Sequence, residues 1–140
     1  MVEYADPPTD EMRSWALKLF NSSPLKRRKY GKIVKYLDST EGLTCLDVGS
    51  DNGVISMLLR ARGGVWYSCD LIAETVAAIS SLVGERVAQI DGLRTPYTDN
   101  QFDVVVIVDL LEHIATDREF VAELFRILKP GGLLLISVPN

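Results

Sequence analysis

The hydrophobic pattern of the chain changes at about residue 40. Before it, apolar positions recur every three or four residues; after it, unbroken apolar runs of strand length alternate with helical stretches. Following Pro7 and Pro8, Thr9 is placed to cap a helix whose apolar positions are Met12, Trp15, Leu19 and Phe20. Ser23 and Pro24 then open a second helix, with Tyr30, Ile33, Val34 and Leu37 on one stripe. Strands are expected over 43–48, 65–69, 87–90, 102–108 and 133–138. Helices are expected between them: 53–62, stopped by Gly63 and Gly64, then 73–82. A third, opened by a Thr116/Glu119 capping box, is expected to bury Phe120, Val121, Leu124, Phe125 and Leu128 and to end at Lys129-Pro130-Gly131-Gly132.

The run Val104-Val105-Val106-Ile107-Val108 has no polar alternation, so the fourth strand must be covered on both faces. Apolar strands joined by helices imply a parallel sheet with right-handed crossovers, a doubly wound α/β fold. Residues 41–140 form the expected core, and residues 1–40 supply helices that cap or lid the same domain.

The 140 residues suffice for one domain, and 47% hydrophobic with 24% charged residues is a globular composition. No apolar run approaches the ~20 residues of a membrane span, and the first ten residues, with three acids, lack the layout of a signal peptide. Cys45 and Cys69 lie in apolar runs and read as buried reduced thiols, which points to a cytoplasmic protein. With a single histidine, no metal site is expected.

Charge is uneven. Residues 1–40 carry eight Lys/Arg against five Asp/Glu, while residues 41–140 carry seven against fourteen. An acidic core argues against a nucleic-acid partner. The exception is the stretch from Lys26 to Lys35, with six basic residues and no acid: a solvated helix face, or a contact for phosphate, an anionic substrate or a peripheral membrane surface.

In a doubly wound sheet, ligands bind outside the carboxyl ends of the strands where strand order reverses. Four polar clusters fall there: Asp47-Val48-Gly49-Ser50-Asp51-Asn52-Gly53, Asp70 with Leu71, Asp91-Gly92, and Asp109-Leu110-Leu111-Glu112-His113. Gly49 and Gly53 allow close approach of a ligand to backbone amides. Asp70, 21 residues after Gly49, stands where a carboxylate accepts hydrogen bonds from two ribose hydroxyls. Carboxylates without clustered cations suit a ligand offering an ammonium, ribose hydroxyls and an exocyclic amine, and suit a pyrophosphate poorly.

These residues resemble a class I S-adenosylmethionine-dependent methyltransferase over 43–140, closest to the group acting on quinones, sugars, lipids and small metabolites. The first cluster resembles the motif around the methionine part of the cofactor, and Asp70 the ribose-binding acid. Asp91-Gly92 resembles the pair at the adenine edge, with Leu93 packing on the ring. The stretch Pro96-Tyr97-Thr98-Asp99-Asn100-Gln101-Phe102-Asp103 resembles the lead into the fourth strand, and Leu111-Glu112-His113 and Leu128-Lys129-Pro130-Gly131-Gly132 complete the pattern. The resemblance implies a Rossmann-like fold and S-adenosylmethionine as cofactor, held by Asp47, Gly49, Ser50, Asp51, Asn52, Gly53, Asp70, Leu71, Asp91, Gly92, Leu93 and Asp109. It also implies methyl transfer to a small-molecule, sugar or lipid-linked acceptor.

Asp51 stands where the family usually has a third glycine, and either help with the ammonium or repulsion of the cofactor carboxylate is open. The family sheet normally continues with a helix and an antiparallel pair after the fifth strand, so the chain is expected to be a piece of a longer protein. The strand over 133–138 is then an exposed edge open to a second copy. His113, the only imidazole, is the candidate base toward an acceptor hydroxyl; its alternative is a hydrogen bond to the loop backbone. Two other functions remain: a non-catalytic binding module of this fold, and an NAD-type dehydrogenase, for which the first turn lacks the full glycine pattern.

Overall fold

A computed structural model describes residues 8–50 and 52–138. Two helices lead, α1 (Asp10–Asn21) and α2 (Pro24–Lys35). Each starts as its sequence predicts: the Thr9 hydroxyl accepts from Met12 N at 3.1 Å, and Ser23, ahead of Pro24, accepts from Lys26 N at 3.2 Å. β1 (Thr44–Val48), α3 (Val54–Arg60), β2 (Val65–Asp70), α4 (Ala73–Val83), β3 (Val87–Gln89), β4 (Phe102–Val108), a 3₁₀ turn (Leu111–His113), α5 (Asp117–Ile127) and β5 (Leu128–Ser137) follow. All five strands are parallel, in the order β3-β2-β1-β4-β5. The order reverses between β1 and β4, and that fixes where a ligand belongs.

Covering both faces of β4 explains its composition. Val105 and Ile107 face a core with Phe120, Leu124 and Ile127 of α5, while Val104, Val106 and Val108 face one with Phe20, Ile33, Leu37 and the α3 residues Val54, Ile55 and Leu59. The basic helix α2 is thereby anchored by Ile33, with Leu37 just beyond its end. Cys45 and Cys69 are buried free thiols, both with pKa raised chiefly by burial.

Several expectations are corrected. Only Phe20 of α1 is buried: it meets the Tyr30 ring edge-on at 5.9 Å, whereas Trp15 is 62% exposed. On α5, Phe125 is 61% exposed and Val121 half-buried; the inward position is taken by Glu123, 6% exposed. The capping box does not form, because the Thr116 hydroxyl instead donates to Gly92 O at 2.9 Å. Strand pairing also resumes sooner than expected. Leu128 already pairs with Phe102, the register then jumps to Val104 opposite Leu133, and residues 129–132 bulge out with Gly131 at φ 78°. Pro130, Gly131 and Gly132 thus form a bulge in β5 rather than a turn before it.

Candidate functional site

The rim is built first on the turn after β1. Gly49 continues the sheet by donating to Cys69 O at 3.0 Å, then turns at φ 83°. A Cβ there would lie 2.9 Å from Leu110 Cβ and 3.0 Å from Val108 O, so the segment leaving β4 passes directly over this glycine. Gly53, at φ 90°, lets α3 approach α4, where a Cβ would stand 2.8 Å from Ile79 Cα. Ser50 Oγ accepts from Ser56 N and Asn52 Oδ1 from Val54 N, which together satisfy amides in the first turn of α3. Asp51 lies outside the described residues.

Beneath the turn Asp47 is fully buried. Its two oxygens accept from Ser56 Oγ (2.5 Å) and Ser68 Oγ (2.7 Å), and Ser68 in turn accepts from Arg60 Nη2 at 3.1 Å. Burial outweighs these hydrogen bonds and raises the carboxyl to about pKa 6. Asp47 thus fastens β1 to α3 and β2 from beneath the turn. The signal for its partners was visible, since Ser56 and Ser68 interrupt otherwise apolar runs.

The remaining groups line up along the strand ends. At the end of β2, Asp70 is 4% exposed and accepts from Ile72 N at 3.1 Å, with Leu71 partly buried beside it. After β3, Asp91 is exposed and receives Leu93 N (2.8 Å) and Arg94 N (2.9 Å), which hold its carboxyl below the usual range; Gly92 is buried and Leu93 is 44% exposed. The loop from Asp91 to Gln101 is clamped to α5. Glu123 Oε2 takes both Thr95 N and Thr95 Oγ1 at 2.7 Å, and Arg126 reaches Glu123, Asp99 and Tyr97 O. The Arg126 hydrogen bonds lower the Glu123 carboxyl to about pKa 2.

After β4, Asp109 adopts φ 48° and is fixed on both sides, by Lys29 Nζ at 2.7 Å and Ser137 Oγ at 2.6 Å. Burial raises its carboxyl pKa, but these two partners and the charge of Lys32 more than offset that and leave it lowered. Asp109 thus engages α2 with one oxygen and β5 with the other. His113, with a side chain 70% exposed, has Nε2 3.4 Å from Glu112 Oε1, and that carboxylate takes the place of the expected loop-backbone partner. Among the described residues, a small gap of about 20 Å³ lies between the glycine turn and α2, with Lys26 and Lys29 on the helix side. That is room for about one water molecule.

The residues fit S-adenosylmethionine. Read across the sheet, β3, β2 and β1 present a loop with a partly exposed leucine, then a carboxylate, then a glycine turn with an opening helix. An adenine, a ribose diol and an amino-acid end would be met in that order.

Comparison with known proteins agrees. A family model described as a methyltransferase domain matches residues 46–136. The ubiquinone biosynthesis O-methyltransferase of Rickettsia akari is 29% identical over 102 residues, covering 70% of this chain and 41% of that one. A tRNA (carboxymethyluridine(34)-5-O)-methyltransferase of Arabidopsis thaliana is 31% identical over 114 residues, covering 79% and 28%. The crystal structure of a SAM dependent methyltransferase from Aquifex aeolicus superposes with TM-score 0.67 at 25% identity, covering 84% and 68%. The chain spans less than half the length of the curated relatives it matches. The family match displaces the NAD-type dehydrogenase reading, and the chain belongs to the methyltransferase-domain family, whose cofactor is S-adenosylmethionine.

Proposed function

We propose that this chain is the cofactor-binding domain of a methyltransferase that passes a methyl group from S-adenosylmethionine to a small-molecule acceptor. The observation that carries this reading is the order of groups along the rim, with Asp91 to Leu93, Asp70 and the Gly49 turn on three adjacent strands. When bound, S-adenosylmethionine supplies a methyl group on positively charged sulfur that an acceptor oxygen, nitrogen or carbon displaces. The chain's own contribution is to bind and align: Asp70 toward the ribose, Leu93 against the adenine, and the amides after Gly49 toward the amino-acid end. Helices α1 and α2 act as the cap.

The acidic balance of residues 41–140 favours a small acceptor over RNA. An RNA acceptor is the second reading, favoured by the Arabidopsis relative. Buried, unpaired Cys45 and Cys69 support a cytoplasmic setting, and among the described residues no helix is long and apolar enough to cross a membrane. The free edge of β5, with Leu133, Ile136 and Val138 exposed, is the surface proposed for pairing with a second copy; a monomer by light scattering at high concentration counts against it.

Calorimetric titration with S-adenosylmethionine, S-adenosylhomocysteine and NAD tests the reading. Binding of the first two alone is expected, and Asp70→Ala weakens it by about 1.5–3 kcal/mol, the range for hydrogen bonds to a charged group. An unchanged affinity removes the ribose assignment. Cofactor binding without turnover on small acceptors and on tRNA would instead make this a non-catalytic module.

A further inference from the structure

The basic stretch of α2 is not uniformly solvated. Arg28 and Lys32, one helical turn apart, line a cleft of about 460 Å³ together with Lys29, and its opposite wall is Asp109, Ser137 and Val138 at the ends of β4 and β5. That volume is within the range of small-molecule pockets. Lys29 also borders the gap at Gly49 and Ser50, so the cleft adjoins the glycine turn. Its charges do not cancel. Lys29 is paired with Asp109, α2 contains no acid, and neither Arg28 nor Lys32 makes a salt bridge among the described residues. Two cations thus face a cleft beside the rim of an otherwise acidic domain.

We propose that this cleft is an oxyanion pocket, occupied in turnover by a phosphate or carboxylate carried on the small methyl acceptor. The proposal rests on the methyl-transfer reading and narrows its substrate class. The wall contributed by Asp109 and Ser137 leaves only the α2 side for the anion, so the acceptor lies with its acidic group on Arg28 and Lys32 and the rest of it toward the strand ends. Arg28 supplies a planar fork of donors suited to two oxygens, and Lys32 a second, mobile charge.

Phenyl phosphate, with benzoate and neutral phenol alongside, serves as probe in calorimetric titrations of the protein and of an Arg28→Gln/Lys32→Gln double variant, whose glutamines keep the aliphatic stems. Arg27→Ala, on the same helix but away from the cleft, reports general charge; circular dichroism confirms that each variant is folded. Binding of phenyl phosphate or benzoate but not phenol is expected. The double variant weakens it by about tenfold or more, as loss of charge-assisted hydrogen bonds does, while Arg27→Ala leaves it unchanged. Absence of anion binding at millimolar concentration, or equal weakening by Arg27→Ala, overturns the proposal. Phosphatidylserine vesicles or an oligoribonucleotide bound in preference to phenyl phosphate, and released by the double variant, also overturn it and assign the face to a membrane or RNA. S-adenosylmethionine is titrated in parallel. Anion binding without cofactor binding supports the pocket and sinks only the methyl-transfer reading.

Discussion

Replacing Glu123 by Gln tests the clamp that holds the Asp91–Gln101 loop. Glu123 Oε2 accepts three hydrogen bonds, from Thr95 N, Thr95 Oγ1 and Arg126 Nη2, and Oε1 accepts Arg126 Nε at 2.6 Å. Glutamine keeps one acceptor and turns the other into a donor, so in either orientation an N–H faces another donor. The magnitude follows from the carboxyl, lowered from 4.5 to about 2, first by hydrogen bonding to Arg126 and then by Thr95. At about 1.4 kcal/mol per unit this is worth roughly 3 kcal/mol, and partial screening of Arg126 brings it to about 2–3 kcal/mol. Because the native group is the stronger acid, the contribution is present above the unfolded pKa of about 4.5 and disappears as pH falls through about 2. Urea unfolding of the protein and of Glu123→Gln, followed by circular dichroism from pH 7 to 3, should give a difference of about 2–3 kcal/mol at neutral pH, falling by roughly half by pH 3. A difference under about 0.5 kcal/mol at pH 7, or one independent of pH, refutes the clamp.

Gly49→Ala forces a Cβ into contact with Leu110 and Val108 O at φ 83° and should cost about 2–4 kcal/mol. Gly31→Ala, in α2 with open space around it, should gain up to about 1 kcal/mol; the two together in thermal unfolding separate steric need from helix propensity. Asp47 has the opposite pH sign to Glu123. Its raised native pKa makes the native state the tighter proton binder, so stability falls by up to about 3 kcal/mol as pH rises from about 4 to about 6. Asp47→Asn should flatten that slope in urea unfolding, and an unaltered slope assigns it elsewhere. His113→Ala should lower kcat for methyl transfer less than about tenfold, since alignment carries the transfer; a loss of a hundredfold or more would make the imidazole a general base.

The architecture was legible because it rests on periodicity. The Val-rich run of β4 and the spacing from Gly49 to Asp70 to Asp91 required no contact information, and the caps at Thr9 and Ser23 are local chemistry. What the sequence concealed is set by partners far along the chain. Thr116 looks like a helix cap until Gly92 O competes for its hydroxyl, and Glu123 looks like a surface residue until Thr95 and Arg126 surround it. Lys29 is one of six similar cations, and only the folded chain sets it apart by bringing Asp109 to it. The bulge over 129–132 escaped for the converse reason, since Pro-Gly-Gly carries the same local signal in a turn and in an interrupted strand.

The Lys29–Asp109–Ser137 connection ties three elements at one point: a helix from the start of the chain and the ends of two adjacent strands. Apolar packing through Ile33 holds the last turn of α2 and does not respond to salt, but the middle of the helix is tied at Lys29 by an ion pair about a quarter exposed. The helix is therefore held by two kinds of contact, greasy near its C-terminal end and ionic at its centre. Added salt therefore weakens only one of the two, so ionic strength loosens the tie between α2 and the strand ends while the apolar contact keeps the helix on the domain.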